Sequence, residues 1–275
     1  MNICVLSGKG GTGKTTVSVN LAKLTGGSYI DCDVEEPNGF IFLKPERVLS
    51  KAVETDSPVI DAEKCTLCAR CVRACRFHAL VGTQKQIKVF PQLCHACGAC
   101  QIVCETEAVS YRKRRIGCIE KAMSGGISVW RGVLDVGEPM GVPVIRAMLK
   151  ELPAGTCILD SPPGTSCSVS AVLSRADIAL LVTEPSVFGL HDMNLAVQLL
   201  RQRGIPCAVV INKSVPDTLM IDRYCAEHGL KIIGRLPLSR AAAAAYSRGS
   251  MLLELPEYKA VFEDIVREMD GDVWN

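Results

Sequence analysis

One stretch near the start of the chain, Ser7-Gly8-Lys9-Gly10-Gly11-Thr12-Gly13-Lys14-Thr15-Thr16, limits the possible folds more than any other. It meets the phosphate-binding pattern G-x-x-x-x-G-K-S/T, with Gly8, Gly13, Lys14 and Thr15 in register. Residues 2–6 read as a short buried strand, and residues 15–24 carry a helical pattern. A strand, a glycine-rich loop and a helix in that order aim backbone N–H groups and a helix N-terminus at one point, where a polyphosphate can sit. Lys14 is placed to reach the outer phosphates, and the Thr15 hydroxyl to ligate Mg²⁺, with Thr16 beside it. A glycine-rich turn could match the pattern by accident, but the flanking strand and helix argue for a nucleotide site.

The strand–helix theme continues down the chain. Residues 28–33 read as a second strand ending in Asp31 and Asp33, and residues 34–38 as a loop. Pro45 and Pro58 interrupt short apolar pieces, so residues 40–61 read as irregular with short strands. Residues 127–141 look strand- and turn-like and 142–150 helical. Residues 156–160 form a buried strand ending in Asp160, followed by Ser-Pro-Pro-Gly. Strands are expected at 178–183, 206–212 and 231–236, helices at 189–203 and 217–228, and further helices to the end. Such alternation predicts an α/β fold, a mostly parallel sheet with helices on both faces. Acids at the ends of its strands would point into the ligand crevice.

Composition matters mainly through cysteine. Of 15 cysteines, eight crowd between Cys65 and Cys104 in two copies of one pattern, Cys65-x2-Cys68-x2-Cys71-x3-Cys75 and Cys94-x2-Cys97-x2-Cys100-x3-Cys104. Neither helix nor strand periodicity explains a doubled spacing of this kind. It matches the bacterial ferredoxin run, with Arg76 and Glu105 where a proline usually follows. Zinc sites pair separated C-x2-C units and do not need runs of three, so two 4Fe–4S clusters are the expected occupants. In two-cluster ferredoxins the fourth cysteine of each run serves the other cluster. This implies Cys65, Cys68, Cys71 and Cys104 for one cluster, and Cys94, Cys97, Cys100 and Cys75 for the other. His95 reads as a solvated loop residue, with ligand or tuner as the alternative. Cys4, Cys32, Cys118, Cys157, Cys207 and Cys225 read as lone core thiols, and Cys167 as a small buried one.

Residues 61–115 hold ten Lys and Arg against four Asp and Glu. The change of character marks a small α+β domain inserted between residues 1–60 and 116–275 of the nucleotide-binding domain. The whole chain has a net charge of only +2, giving no case for nucleic acid as a partner. With the phosphate loop so near Met1, no secretory signal is expected, and no apolar run is long enough to span a bilayer. The final helix carries one apolar stripe, Tyr258, Val261, Phe262, Ile265, Val266 and Met269. Residues 257–272 hold six acids and two bases, the wrong sign for anionic lipid, so it reads as a docking helix without a membrane anchor. A cytoplasmic location follows as the expectation.

Lys9, with Gly10, Gly11 and Thr12 behind it, turns the phosphate loop into one that resembles the deviant Walker A loop of the MinD/ParA/nitrogenase iron protein group. The chain as a whole looks like members of that superfamily that carry an inserted two-cluster ferredoxin domain. The resemblance implies a SIMIBI-type P-loop ATPase whose Lys9 crosses a dimer interface to the partner's nucleotide. It also implies Asp33 as the switch I aspartate that orients water, Asp160 holding Mg²⁺ through water, and Gly164 as a γ-phosphate sensor. Asn212 matches the position that reads adenine, although a turn or cap residue would look the same. Cys167 stands at the offset from Asp160 at which nitrogenase iron protein places one bridging-cluster ligand, but residues 137–142 contain no cysteine to supply the other. The leading expectation is therefore an ATP-dependent homodimer or related heterodimer that gates electron transfer through the clusters to a redox protein. A MinD-like or ParA-like spatial or assembly switch with redox-sensing clusters, and an iron–sulfur cluster carrier, are the alternatives.

Overall fold

The computed structural model describes residues 1–216, 218–269 and 271. In chain order the elements are β1 (Asn2–Leu6), α1 (Lys14–Thr25), β2 (Ser28–Asp31), α2 (Gly39–Leu43), β3 (Glu46–Ile60), α3 (Arg70–Ala74), β4 (Leu80–Gly82), β5 (Ile87–Val89), α4 (Ala99–Ile102), β6 (Val109–Ser124) and β7 (Ile127–Leu134). There follow α5 (Val142–Leu149), β8 (Cys157–Asp160), α6 (Cys167–Leu173), β9 (Ile178–Thr183), α7 (Val187–Arg203), β10 (Cys207–Ser214), α8 (Leu219–Glu227), β11 (Lys231–Pro237), α9 (Arg240–Ser247) and α10 (Pro256–Met269). Asp217, expected to open a helix, lies outside the described residues, as do Asp270 and Asp272 of the acidic tail.

Nine strands form one sheet in the order β11-β10-β9-β1-β8-β2-β7-β6-β3. The pairings from β11 to β7 are parallel, whereas β6 runs antiparallel to both β7 and β3. Side chains of the central strands alternate between two buried layers, as the period of a strand requires. Cys4 and Leu6 face α5, α6, α7 and α8, while Ile3 and Val5 face α1, α2, α9 and α10. The last helix lays Tyr258, Phe262, Ile265 and Met269 against the sheet, with Ile265 over Gly234, so the apolar stripe is buried by the chain itself. Among the described residues no helix is long and apolar enough to cross a membrane.

Residues 40–61 depart from the irregular reading. They form α2 and a 15-residue strand. Pro45 falls just before β3, and Pro58 is tolerated because β3 is an edge strand, where a missing N–H breaks no ladder on the open side. β3 and β6 make a long two-stranded ribbon, paired from Glu46–Met123 to Ile60–Val109. The cysteine-rich segment is carried at its far end, so β6 begins within residues 61–115 and continues past that boundary into the main sheet. Between the ribbon strands lie α3, the β4–β5 hairpin and α4. Cys167 is exposed at the first position of α6, not buried, because the chain turns out of the crevice there. Cys207 is half-buried, and Cys4, Cys32, Cys118, Cys157 and Cys225 are buried as expected of core thiols.

Candidate functional site

Gly8 to Thr16 wrap the C-terminal end of β1 and the start of α1, at one end of a cavity of about 530 Å3. Gly10, Gly11, Gly13, Lys14, Thr15, Thr16, Asp33 and Asn212 all line that cavity. Gly13 has φ +96°, and a Cβ there would collide with the Asn212 amide, so only glycine suits the position. Gly164 (φ +84°) donates its N–H to the Ser7 carbonyl at 3.0 Å, which keeps the segment after β8 beside the loop.

Lys14 is buried, and burial pushes its ammonium pKa down while Asp160, Asp33 and Asp31 oppose the shift. Asp160 is buried and accepts hydrogen bonds from Ser18 Oγ at 3.1 Å and from the Tyr29 hydroxyl at 2.8 Å. Burial raises its pKa, against hydrogen bonds from Thr15 and Tyr29 that lower it. Asp33 is half-buried, its carboxyl pushed up to about 6 by burial and by the charge of Asp160. Asp31 is structural, accepting from the backbone N–H of Gly39 at 3.0 Å and of Asp33 at 3.2 Å. Three carboxylates and one lysine thus crowd the mouth of the P-loop, an arrangement that calls for a cation and a polyanion together.

Sequence reasoning missed four residues here. Tyr29 bridges Asp31 and Asp160 through its hydroxyl, a contact made between neighbouring strands. Ser18 lies one helical turn after Lys14 and so faces the same way, a signal present in the spacing. Glu184 and Lys213 carried no signal. The Lys9 ammonium meets Glu184 Oε1 at 2.5 Å, and Lys213 Nζ meets Glu184 Oε2 at 3.0 Å and the Gly11 carbonyl at 2.8 Å. In this single chain Lys9 therefore folds back onto its own β9–α7 turn. Burial pushes the Glu184 carboxyl up, but the two ammonium groups reverse this and hold it below its usual range. Asn212 donates its amide to the Thr12 carbonyl at 2.7 Å, bracing the loop.

The cysteines divide at the tip of the ribbon. Cys65, Cys68, Cys71 and Cys104 line one small hollow, and Cys75, Cys94, Cys97 and Cys100 line another. As they lie, no three His, Cys, Asp or Glu side chains among the described residues converge on a single-ion site. The two halves repeat at an offset of 29 residues, from Cys65 to Cys94. Leu67, Ala69 and His78 have φ +56°, +57° and +53°, and their counterparts Ala96, Gly98 and Glu107 have +51°, +82° and +51°. Left-handed backbone at five non-glycine positions costs about 1 kcal/mol or more each and persists where surroundings impose it. Ala79 N–H donates to Cys75 Sγ and Ala108 N–H to Cys104 Sγ, each at 3.3 Å. Tyr111 OH stands 3.1 Å from Cys100 Sγ, and His95, an exposed loop residue as expected, stacks on Phe77 with centroids 3.6 Å apart.

Comparison with known proteins fits the P-loop geometry. An uncharacterized protein of Methanocaldococcus jannaschii is 29% identical over 274 residues, 96% of each chain. The iron–sulfur cluster carrier protein of Pyrococcus horikoshii is 24% identical over 312 aligned positions, covering 98% of this chain and 88% of its own. The solved structure of the septum site-determining protein MinD from Pyrococcus horikoshii, complexed with Mg-ADP, superimposes with a TM-score of 0.60 at 17% identity, covering 98% and 96% of the two chains. At that identity it speaks for the fold alone, a MinD/ParA-type P-loop ATPase. The model of the CobQ/CobB/MinD/ParA nucleotide-binding domain matches residues 3–253, and the chain belongs to that family.

Proposed function

We propose that the protein is an ATP-driven switch of the MinD/ParA kind whose cysteine-rich insert, residues 61–115, is a ferredoxin-like domain holding two 4Fe–4S clusters. The observation that carries this reading is the division of eight cysteines into two hollows of four, with the fourth cysteine of each run contributed to the other hollow. Crossed sharing of that kind is what a two-cluster ferredoxin requires. The donor set fits a cluster: each hollow offers four thiols, and backbone N–H groups already point at Cys75, Cys94 and Cys104. Bound there, such a cluster would exchange one electron at a time.

At the other site, ATP would lie along the 530 Å3 cavity, its phosphates on the Gly8–Thr16 loop. Lys14 would neutralise the outer phosphates, Thr15 and Asp160 would stand on the Mg²⁺ side, Asp33 would orient water, and Gly164 would sense the γ-phosphate. Release of Lys9 from Glu184 would free it for the nucleotide of a second, identical or related, chain. Asn212 would then turn from the loop to the adenine.

A second reading is that the chain hands clusters to other proteins. It is favoured by the full-length likeness to the Pyrococcus cluster carrier and by the exposure of one cysteine in each hollow, Cys68 and Cys97. Electron delivery to a redox partner rests on the cysteines alone and is the lesser reading.

Anaerobic purification with iron and sulfide counts tests the cluster half of the proposal. Intact chain should carry about eight irons, and Cys97→Ser about four. A colourless, iron-free protein would remove it. Dimerisation by light scattering with ATP or ADP, in oxidised and reduced protein, tests the switch. Transfer of iron to an apo-ferredoxin separates carrier from switch.

A further inference from the structure

Between the nucleotide crevice and the cysteine hollows runs an unbroken path of specific contacts, and its central link is an ion pair with no part in either site. Val34, next to Asp33, is buried, and its carbonyl accepts the Leu134 N–H at 2.9 Å. Its methyl groups sit against Gly132 and Gly141, where an added Cβ would come within 2.5 and 2.6 Å. The loop after Asp33 therefore cannot shift without pushing on the segment that follows β7.

That segment is tied to the ribbon in turn. Asp135 donates its N–H to the Ile116 carbonyl at 2.9 Å and takes Arg115 on both carboxylate oxygens, at 3.0 and 3.1 Å. Glu138, whose N–H bonds to the Asp135 carbonyl at 3.1 Å, forms a two-pronged pair with Arg114, one prong Nη2 to Oε2 at 2.9 Å. Their side chains are 19% and 12% exposed, and Arg114 Nε is buried with no hydrogen-bond partner. A guanidinium bonded to Glu138 on one side and to the backbone of Pro91 on another cannot move without disturbing one of them.

The far side of Arg114 is the telling one. Its Nη2 donates to the Pro91 carbonyl at 3.3 Å, and the same carbonyl accepts the N–H of Cys94 at 3.2 Å. Arg114 thus grips the turn that fixes the backbone of the first cysteine of the second run. In the first run the repeat puts Ala62 where Pro91 stands, and Cys65 N–H is held by the Asp61 carbonyl at 3.0 Å.

We propose that Arg114 and Glu138 are positioning residues that pass the nucleotide state of the Asp33 loop to the Cys75/Cys94/Cys97/Cys100 hollow and not to the other. The inference rests on reading the crevice as an ATP site and the hollows as cluster sites. A charged pair that is made or broken as a unit gives two discrete arrangements, which is what coupling over a distance needs.

The test compares the full-length protein with Glu138→Gln and with the double variant R114M/E138L, whose apolar pair preserves packing if the single variant folds poorly. Amide exchange over residues 91–100 and the resonance spectrum of the reduced protein are recorded with Mg-ADP and with a non-hydrolysable ATP analogue. The expected result is a several-fold ATP-dependent change in exchange, and a change in one of two cluster signals, in the wild type. Both should fall to a tenth or less in the variants, with nucleotide affinity and iron content unchanged. Undiminished responses in both variants would overturn the proposal. So would a wild-type response confined to residues 65–71 and 104, or none at all with nucleotide and iron bound. An iron-free chain would end the cluster reading, while exchange over residues 91–100 would still decide the link.

Discussion

Around the P-loop, two large hydrophobic clusters wall the crevice, and the loop is braced by Asn212, Lys213 and Glu184 before any ligand arrives. Around the cysteines the core cluster comprises Cys71, Leu80, Ile87, Cys100 and Val109, so two of its five members are themselves proposed ligands. A segment of that size with so small a buried core has little stability of its own to spare. The nucleotide site is thus pre-organised by the fold, whereas the hollows are proposed to depend on what fills them. Left-handed backbone at Leu67, Ala69 and His78 and, in the second half, at Ala96 and Glu107 is strain that a bound core would offset.

The largest expected effect breaks or confirms that contrast directly. Removing iron with a chelator under oxidising conditions should abolish amide protection across residues 61–108, while the thermal midpoint of the remaining domain moves by only about 2 °C. Protection that survives iron loss would mean that the insert is as self-sufficient as the body. Next in size, Lys14→Ala should lower ATP affinity by about 100-fold in calorimetry, the worth of one or two charge-assisted hydrogen bonds, and leave the iron count as it is. A fall in iron would show that the insert leans on the crevice.

Smaller effects sharpen the picture of the crevice. Glu184→Gln should tighten ATP-dependent self-association by about fivefold, since it frees Lys9 from a partly exposed pair worth about 1 kcal/mol. Sedimentation with and without ATP measures it; weaker association would make Glu184 part of the interface instead of a resting partner for Lys9. The smallest effect is in pH. Asp33 is raised from 3.8 to about 6, so the folded, nucleotide-free chain holds this proton more tightly than the unfolded chain does. Its contribution favours folding below pH ~4 and is lost as pH rises through about 6. The thermal midpoint of the nucleotide-free protein should carry a downward component across that window which Asp33→Asn removes; identical pH profiles would place the proton elsewhere.

Much of this site could be read from residue order because its chemistry is local. Gly8 to Thr16 need only a strand before them and a helix after, and the cysteine runs carry their spacing wherever they are placed. Residues 40–61 were illegible for a physical reason: a proline that interrupts an inner strand is harmless on an edge, and order along the chain does not say which strand is the edge. Cys167 was misread because seven residues beyond Asp160 the chain has left the core, and distance along the sequence does not report depth.

Residue order was enough for the family, for the alternation of strands and helices, and for the glycine-rich loop between β1 and α1, because backbone geometry and short-range spacing decide those. Tertiary structure alone decided that Glu184 and Lys213 meet Lys9 and Gly11, that Tyr29 joins Asp31 to Asp160, and that Arg114 ties Glu138 to Pro91. Those contacts join residues up to about 200 positions apart. They are made by side chains whose types are common on any surface, and only the folding of the sheet brings them within reach of one another.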